Sequence, residues 1–143
     1  MKTRSLARQR PSDPPGAARR LRIVVVENHP DTLKYLCLYL EQMGHVVASA
    51  RSKAESIVLL AGPPCDVLIS DIGLPDGNGW ELLLQAPSPK PHYAIAMSGF
   101  GMHADRERSL AAGYRHHLLK PFPPEELDAL LAEAAREKAA GTS

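Results

Sequence analysis

Five short apolar segments alternate with five amphipathic segments between residues 21 and 138, and this alternation restricts the fold more than any other feature of the sequence. The first apolar segment, at 21–26, is a near-continuous β-branched run of the kind found in strands that are covered on both faces. Similar runs follow at 46–49, 66–70, 93–97 and 116–119. Strands that alternate with helices in this way predict an open parallel α/β sheet with right-handed crossovers.

The amphipathic segments carry start and stop signals of helices. Pro30 and Asp31 suit the first turn of a helix that ends before Gly44, and Glu125 and Glu126 suit the first turn of the last one, where carboxylates interact favourably with the helix dipole. Helices are therefore predicted at about 30–43, 53–61, 79–85, 104–112 and 125–138. This (βα)5 pattern predicts a flavodoxin-like three-layer sandwich whose five parallel strands lie in the order 2-1-3-4-5.

The first twenty residues differ in composition from the rest of the chain. They hold six of the 17 Lys and Arg residues and one of the 16 acidic residues, together with a cluster of Pro11, Pro14 and Pro15. Because they contain little apolar material to bury, we expect residues 1–20 to form a basic, disordered tail. Residues 21–138 then form one domain, and residues 139–143 form a short C-terminal tail.

Membrane and export signals are missing from the sequence. No apolar run approaches the roughly 18 residues that a membrane-spanning helix needs. The basic N-terminus also lacks the apolar stretch of a secretory signal peptide. The sequence therefore predicts a cytoplasmic protein without a membrane partner.

Polar side chains stand directly after four of the five predicted strands. They are Glu27 and Asn28 after the first strand, Asp71 after the third, Ser98 after the fourth and Lys120 after the fifth. In open α/β sheets, ligands bind beyond the carboxyl ends of the strands, at the point where the strand order reverses. The predicted order makes the first and third strands neighbours at that point, so these side chains converge. An acid, a hydroxyl and an ammonium at one sheet edge form a set that binds a phosphoryl group.

At these residues the chain resembles the receiver domains of two-component response regulators, over about residues 21–138. The likeness rests on four segments at the strand ends: VVENHPD at 25–31, SDIGLPDGNG at 70–79, MSG at 97–99 and LKPF at 119–122. Each segment is weak evidence by itself, but all four in order on a (βα)5 frame are highly specific. The leading Glu27 and the loop SGFG at 98–101 are also similar to receivers fused to hybrid histidine kinases.

The resemblance implies a phosphoacceptor role for Asp71, which would take a phosphoryl group from a phosphohistidine of a sensor histidine kinase or a histidine phosphotransfer protein. It also implies a Mg²⁺ ion held by Glu27, Asn28, Asp71 and the backbone carbonyl of Gly73. The domain would then be a phosphorelay or two-component signalling module that acts by docking, and not an enzyme.

Other residues at the same edge receive roles from the resemblance as well. Lys120 would neutralise charge on the phosphoryl group, Ser98 would donate a hydrogen bond to one of its oxygens, and the backbone N–H groups of Ile72 and Gly99 would add further ones. Ser98 would also act as a switch residue together with His117, which occupies a position where receivers usually carry an aromatic side chain. A plain surface imidazole is the alternative for His117.

Two departures from the family pattern bear on the chemistry. Most receivers have two carboxylates after the first strand, whereas this chain has Glu27 and Asn28, so the cation site loses one negative charge and its Mg²⁺ affinity should fall. Gly73 and Phe100 stand where a polar side chain could orient a water molecule for attack on the phosphoryl group. Because neither side chain can form a hydrogen bond, we expect slow hydrolysis.

About five residues follow the last predicted helix, so we expect no DNA-binding output domain and a receiver that docks onto a downstream protein target. In the family, docking uses the face built from the fourth helix, the fifth strand and the fifth helix, which would also serve a homodimer. Two other functions stay open. One is a phosphorylation-independent pseudo-receiver, which Asn28 and His117 favour. The other is a small Mg²⁺-dependent phosphatase or transferase, which the lack of a second carboxylate two residues after Asp71 disfavours.

Overall fold

The computed structural model describes residues 20–99 and 105–141, except for the side chain of Asp105. Within these residues, every predicted strand and helix is present, with ends that differ by at most three residues. Two short additional strands lie between the third strand and the third helix. The elements are β1 (Arg22–Val26), α1 (Pro30–Gln42), β2 (Val46–Ala50), α2 (Lys53–Leu60), β3 (Val67–Asp71), β4 (Gly73–Leu74), β5 (Gly77–Asn78), α3 (Gly79–Gln85), β6 (Tyr93–Ser98), α4 (Asp105–Ala112), β7 (His116–Leu119) and α5 (Pro124–Gly141).

Five parallel strands form the central sheet in the order β2-β1-β3-β6-β7. β4 and β5 form a separate two-stranded ribbon. When only the five strands of the central sheet are numbered, their order is 2-1-3-4-5, so the predicted flavodoxin-like topology is confirmed. Val26 at the end of β1 lies opposite Ser70 of β3, and Asp71 lies opposite Met97 of β6. The strand order reverses between β1 and β3, which brings the residues that follow these two strands to the same edge.

The apolar side chains form two clusters, one on each face of the sheet. One cluster joins the sheet to α1 and α5 and includes Leu36 and Leu131. The other joins the sheet to α2 and α3 and includes Leu60 and Trp80. Because both faces are covered, every residue of β3 is buried, as the near-continuous apolar strands predict. The result is the three-layer sandwich that the (βα)5 pattern predicts.

The start of α3 lies against the end of β3. Asn78 caps the helix by accepting a hydrogen bond from the Glu81 N–H at 2.8 Å, and the Glu81 carboxylate accepts one from the Asn78 N–H at 3.2 Å. The Gly79 N–H donates to the Ile72 carbonyl at 2.8 Å, and a Cβ on Gly79 would lie 2.6 Å from the Asp71 carbonyl oxygen. Only glycine permits this approach, so the chain direction after Asp71 is tightly defined.

One predicted limit of the domain needs correction. α5 continues to Gly141, so residues 139–141 are helical and do not belong to the predicted C-terminal tail at 139–143. The physical reason is the high helix propensity of Ala139 and Ala140, which lets the helix continue beyond Lys138. The predicted basic tail at 1–20 lies outside the described residues, apart from Arg20. Of the helices that the structure describes, none has the length and apolar character needed to cross a membrane.

Candidate functional site

Lys120 bridges two acidic side chains at the carboxyl edge of the sheet. Its Nζ lies 2.9 Å from Oδ1 of Asp71 and 2.9 Å from Oε1 of Glu27. Asp71 ends β3, whereas Glu27 and Lys120 directly follow β1 and β7, so the contact joins three strands that are distant in sequence. The fold thus brings three of the five predicted side chains into direct contact.

Burial and crowding change the ionisation of this cluster. Glu27 and Asp71 are 2% and 7% exposed. Burial is the main effect that raises the pKa of Asp71 to about 7, the neighbouring Glu27 adds to it, and Lys120 opposes both. Burial acts on Glu27 too, but hydrogen bonds with Asp71, the His29 N–H and Lys120 together lower the pKa of Glu27. Burial likewise opposes the charge of Lys120, but the two carboxylates raise its pKa. Glu27 therefore carries the first negative charge of the site, and ionisation of Asp71 near neutral pH adds the second.

Asn28 and Gly73, the other predicted cation ligands, lie at the exposed rim of the site. The backbone carbonyl of Asn28 accepts a hydrogen bond from Arg51 Nε at 3.3 Å, and Gly73 pairs with Asn78 in the β4-β5 ribbon. Among residues 20–99 and 105–141, no group of three His, Cys, Asp or Glu side chains is placed to hold a metal ion. The part of the site that can attract a cation most strongly is therefore a pair of carboxylates.

The backbone N–H of Ile72 has a different partner from the predicted one. It donates to the Met97 carbonyl at 2.9 Å, which extends the pairing of β3 with β6 by one residue. The structure does not support its predicted role in phosphoryl binding, because the donor is already used within the sheet. Gly99 directly follows β6, no atom of the described residues lies within 4 Å of a Cβ built on it, and its role stays a prediction. Phe100 lies outside the described residues.

Ser98 and His117 contact each other inside the protein. Ser98 Oγ lies 2.5 Å from His117 Nε2, and the two residues are 2% and 7% exposed. The alternative of a surface imidazole is therefore wrong. The ring is buried because it lies between β6 and α4, where Ser109 Oγ is 3.0 Å from its Nδ1. Both ring nitrogens have hydroxyl partners, which makes burial of this polar side chain acceptable.

Two residues of this buried cluster have no role in the sequence-based prediction. Trp80 Nε1 donates to Ser109 Oγ at 3.0 Å, and the Arg108 guanidinium lies 4.0 Å from the centroid of the Trp80 ring system. Ser109 is buried although its neighbours in α4 are mostly exposed. In the sequence, the three-residue spacing of Ser109 and Ala112 is the local pattern that indicates an inward face of α4. This pattern does not distinguish a buried serine from one that faces solvent.

The sequence pattern of the response regulator receiver domain matches residues 23–132. The chain belongs to this family. Receiver domains are signalling domains of two-component systems, and the resemblance of the four strand-end segments is thereby confirmed. This receiver is 32% identical over 114 residues to an uncharacterized 14.6 kDa protein of Leptolyngbya boryana. The aligned region covers 78% of this chain and 87% of that protein.

Other similar proteins include a much larger kinase and a receiver domain of known structure. This receiver is 30% identical over 112 residues to the signal transduction histidine-protein kinase BarA of Escherichia coli strain K12. This match covers 76% of the receiver but only 12% of the kinase. The crystal structure of a CheY-like response regulator receiver domain protein from Methanospirillum hungatei JF-1 has a TM-score of 0.78 at 27% identity, over 85% of this chain and 98% of that one.

Proposed function

We propose that this receiver accepts a phosphoryl group on Asp71 from a phosphohistidine of a sensor histidine kinase or a histidine phosphotransfer protein, and signals by docking onto a downstream protein. The observation that carries this proposal is the Lys120 ammonium, which lies 2.9 Å from both Asp71 Oδ1 and Glu27 Oε1. Phosphoryl transfer asks a protein mainly for positioning and charge stabilisation. A cation held against a buried carboxylate meets that requirement.

The transfer forms one bond and breaks one. A carboxylate oxygen of Asp71 attacks phosphorus, the P–N bond of the phosphohistidine breaks, and the donor imidazole leaves with the bonding electron pair. The product is an acyl phosphate on Asp71. Lys120 then contacts a phosphoryl oxygen, and the Ser98 hydroxyl donates to another. Because the ionised carboxylate is the nucleophile, transfer is favoured above the pKa of about 7 that burial gives Asp71.

The donor set of the site fits Mg²⁺. This ion prefers hard oxygen ligands and keeps several waters, so the carboxylates of Glu27 and Asp71 meet its main requirement. The side-chain oxygen of Asn28 and the carbonyl of Gly73, both at the exposed rim, would complete the protein ligands. Bound there, Mg²⁺ would offset negative charge on the phosphoryl oxygens. Because an amide adds no charge, Asn28 weakens the affinity for the ion.

The contact between Ser98 and His117 supports a switch role for this pair. The Ser98 hydroxyl already bonds to a ring nitrogen of His117, which in turn contacts Ser109 of α4. When Ser98 moves to bind a phosphoryl oxygen, the ring of His117 that is bonded to it would move as well. The change would bias an existing equilibrium in the positions of β7 and α4.

A groove beside Lys120 suits the partner that delivers the phosphoryl group. It lies between α1 and the segment that follows β7, and its volume is about 550 Å³. Apolar side chains that include Leu36, Met97 and Phe122 line it, and Tyr35 at its edge is largely exposed. An apolar surface next to the nucleophile favours docking of a protein donor there.

The face formed by α4, β7 and α5 is the surface that we assign to the downstream target. A second groove of about 500 Å³ opens on this face, and its lining includes Arg106, Arg115 and Leu130. Leu110 on α4 is exposed at the same groove. This mixed charged and apolar surface would serve either a protein target or a second copy of the receiver. The cytoplasmic location predicted from the sequence is consistent with these partners.

Incubation with acetyl phosphate and Mg²⁺, followed by intact-mass measurement, tests the proposal. We expect a stable adduct of about 80 Da on the wild-type receiver and none on Asp71→Asn. Asp66→Asn is the matched control, because it makes the same substitution at a carboxylate remote from the site and keeps the nucleophile. An adduct that persists in Asp71→Asn would refute the assignment of Asp71, and turnover of acetyl phosphate without an adduct would indicate a phosphatase or transferase.

A pseudo-receiver that binds partners without phosphorylation is the second candidate function. The position of Asn28 supports it, since this residue replaces a charged cation ligand and lies exposed at the rim. In such a protein, the ion pairs of Lys120 with Asp71 and Glu27 would have a purely structural role. The absence of any adduct on a folded wild-type chain, under conditions that modify another receiver, would favour this candidate.

A further inference from the structure

Four buried side chains form a continuous series of hydrogen bonds that ends at the phosphoryl site. Trp80 Nε1 on α3 lies 3.0 Å from Ser109 Oγ on α4, and that oxygen lies 3.0 Å from His117 Nδ1 on β7. The other ring nitrogen, His117 Nε2, lies 2.5 Å from Ser98 Oγ at the end of β6. All four residues are buried, and Ser109 has no exposed surface. The series therefore connects two helices directly to the hydroxyl that would bind phosphate.

The chemistry of the first member sets the direction of these bonds. An indole N–H can only donate, so Ser109 Oγ accepts from Trp80. The single hydroxyl hydrogen of Ser109 then needs an acceptor, because a buried donor without a partner destabilises the fold. Within residues 20–99 and 105–141, the second contact of this hydroxyl is His117 Nδ1. Nδ1 can accept only when it carries no proton.

A neutral imidazole carries a single ring proton, so a proton-free Nδ1 places that proton on Nε2. The Nε2–H group then donates to Ser98 Oγ, and Ser98 keeps its own hydrogen for another acceptor. We propose that Trp80 and Ser109 are positioning residues that hold His117 as the Nε2–H tautomer, so that the Ser98 hydroxyl hydrogen is donated to the phosphoryl group. This inference rests on the proposed phosphorylation of Asp71.

The opposite direction of the same bonds satisfies the buried groups less well. With the ring proton on Nδ1, Ser109 Oγ would accept from both Trp80 and His117. Its own hydrogen would then lack an acceptor among the described residues, at a site with no exposed surface. Ser98 would then donate to His117 Nε2 and have no hydrogen left for a phosphoryl oxygen. In the proposed direction, the available hydrogen is on Ser98, which lies at the strand end beside the site.

Nitrogen NMR of the unphosphorylated, ¹⁵N-labelled receiver tests the inference without any modification. At neutral pH, we expect the His117 ring to give the signals of a single Nε2–H tautomer in the wild-type protein. In Ser109→Ala, where Nδ1 loses its donor, we expect a mixture of tautomers or a shift toward Nδ1–H. An Nδ1–H tautomer or a doubly protonated ring in the wild-type protein would overturn the inference, as would an unchanged tautomer in Ser109→Ala.

Ser56→Ala is a matched control for the loss of a buried helical hydroxyl. Ser56 lies on α2 with no exposed surface, and its Oγ donates to the Ser52 carbonyl at 2.6 Å, remote from the His117 ring. This variant should leave the His117 tautomer unchanged. A change of tautomer in Ser56→Ala as large as that in Ser109→Ala would show that any loss of stability moves the ring proton, and would overturn the positioning role.

Binding of beryllium fluoride, a phosphoryl analogue, provides the functional measurement. In the presence of Mg²⁺, Ser109→Ala and Trp80→Phe should bind it roughly two- to tenfold more weakly than the wild-type receiver, which is the effect of losing one ordinary hydrogen bond, and Ser56→Ala should match the wild type. Equal affinity in all four proteins would overturn the positioning role even with the expected tautomer. A wild-type chain that binds no analogue and forms no acetyl phosphate adduct would instead refute the proposed function, while the tautomer would still decide the direction of the hydrogen bonds.

Discussion

The hydroxyl of Tyr114 donates a hydrogen bond to the carbonyl oxygen of Gly79 at 2.6 Å and thereby ties the segment before β7 to the first residue of α3. Both residues are buried, and Gly79 itself lies against the backbone of Asp71. The start of α3 therefore packs against the backbone of Asp71, and the segment before β7 holds the start of α3 in place. The position of Asp71 depends on tertiary contacts that exclude any side chain at Gly79.

Substitution of Gly79 tests this support. In Gly79→Ala, the new Cβ would lie 2.6 Å from the Asp71 carbonyl oxygen, so the end of β3 must move. We expect a loss of about 1–3 kcal/mol in the free energy of unfolding, measured by urea denaturation, together with slower phosphorylation by acetyl phosphate. Gly73→Ala is the control, because a Cβ there would lie more than 4 Å from every atom in the described part of the chain. Equal stability of the two variants would contradict the prediction.

Removal of the Lys120 charge should affect chemistry more than any other single change outside Asp71. Lys120→Gln leaves Asp71 and Glu27 next to each other without their ammonium partner, so negative charge on the phosphoryl group is stabilised less. We expect the initial rate of phosphorylation to fall about 100-fold. Lys138→Gln removes an ion pair of similar length, 3.0 Å to Asp66, remote from the site, and should leave the rate unchanged. A less than threefold loss in Lys120→Gln would refute the assigned role.

The raised pKa of Asp71 predicts a dependence of stability on pH. Burial and Glu27 raise this pKa to about 7, whereas an aspartate in an unfolded chain ionises near pH 4. Between about pH 4 and pH 7, the folded protein therefore holds a proton that the unfolded chain has released, and stability falls as pH rises through this window. Asparagine cannot ionise, so Asp71→Asn does not lose stability as pH rises through this window. Without Mg²⁺, the variant should therefore be more stable than the wild-type receiver by roughly 1–3 kcal/mol above pH 7.

Urea denaturation at about pH 5 and about pH 8 measures this difference, which should be much smaller at the lower pH. Asp66→Asn is a suitable control, because Asp66 is a partly exposed carboxylate remote from the site that accepts hydrogen bonds from the Arg22 N–H and from Lys138. That variant should show no gain in stability at either pH. A gain for Asp71→Asn that is independent of pH would exclude the raised pKa as its cause.

The Mg²⁺ site should respond to the charge at position 28. Asn28→Asp adds a carboxylate beside Glu27, and we expect the Mg²⁺ dissociation constant to fall by about tenfold or more, followed by the fluorescence of Trp80. Asn78→Asp also adds one negative charge, but it lies at the helix cap of α3, where aspartate caps equally well. Similar tightening in both variants would show a general effect of charge and not ligation by residue 28.

The alternation of apolar and amphipathic segments was sufficient to predict the sheet order and the edge at which the site lies. Residues at the ends of parallel strands share one edge by topology alone, which is why Glu27, Asp71 and Lys120 could be predicted to meet. The length of α5 was less predictable, because Ala139 and Ala140 extend a helix without leaving an apolar or charged pattern. The end of a helix depends on small differences in helix propensity, so end points one or a few residues apart have similar stability.

The partners of individual polar groups were decided by packing between elements that are far apart in the chain. His117 is buried because hydroxyls from β6 and α4 meet both of its ring nitrogens, and the Ile72 N–H is used by Met97 because β3 and β6 stay paired for one more residue. Local sequence determines which side chain stands at each strand end. Whether that side chain is buried, and which atom it bonds, depends on distances across the sheet and helices, which only the assembled tertiary structure sets.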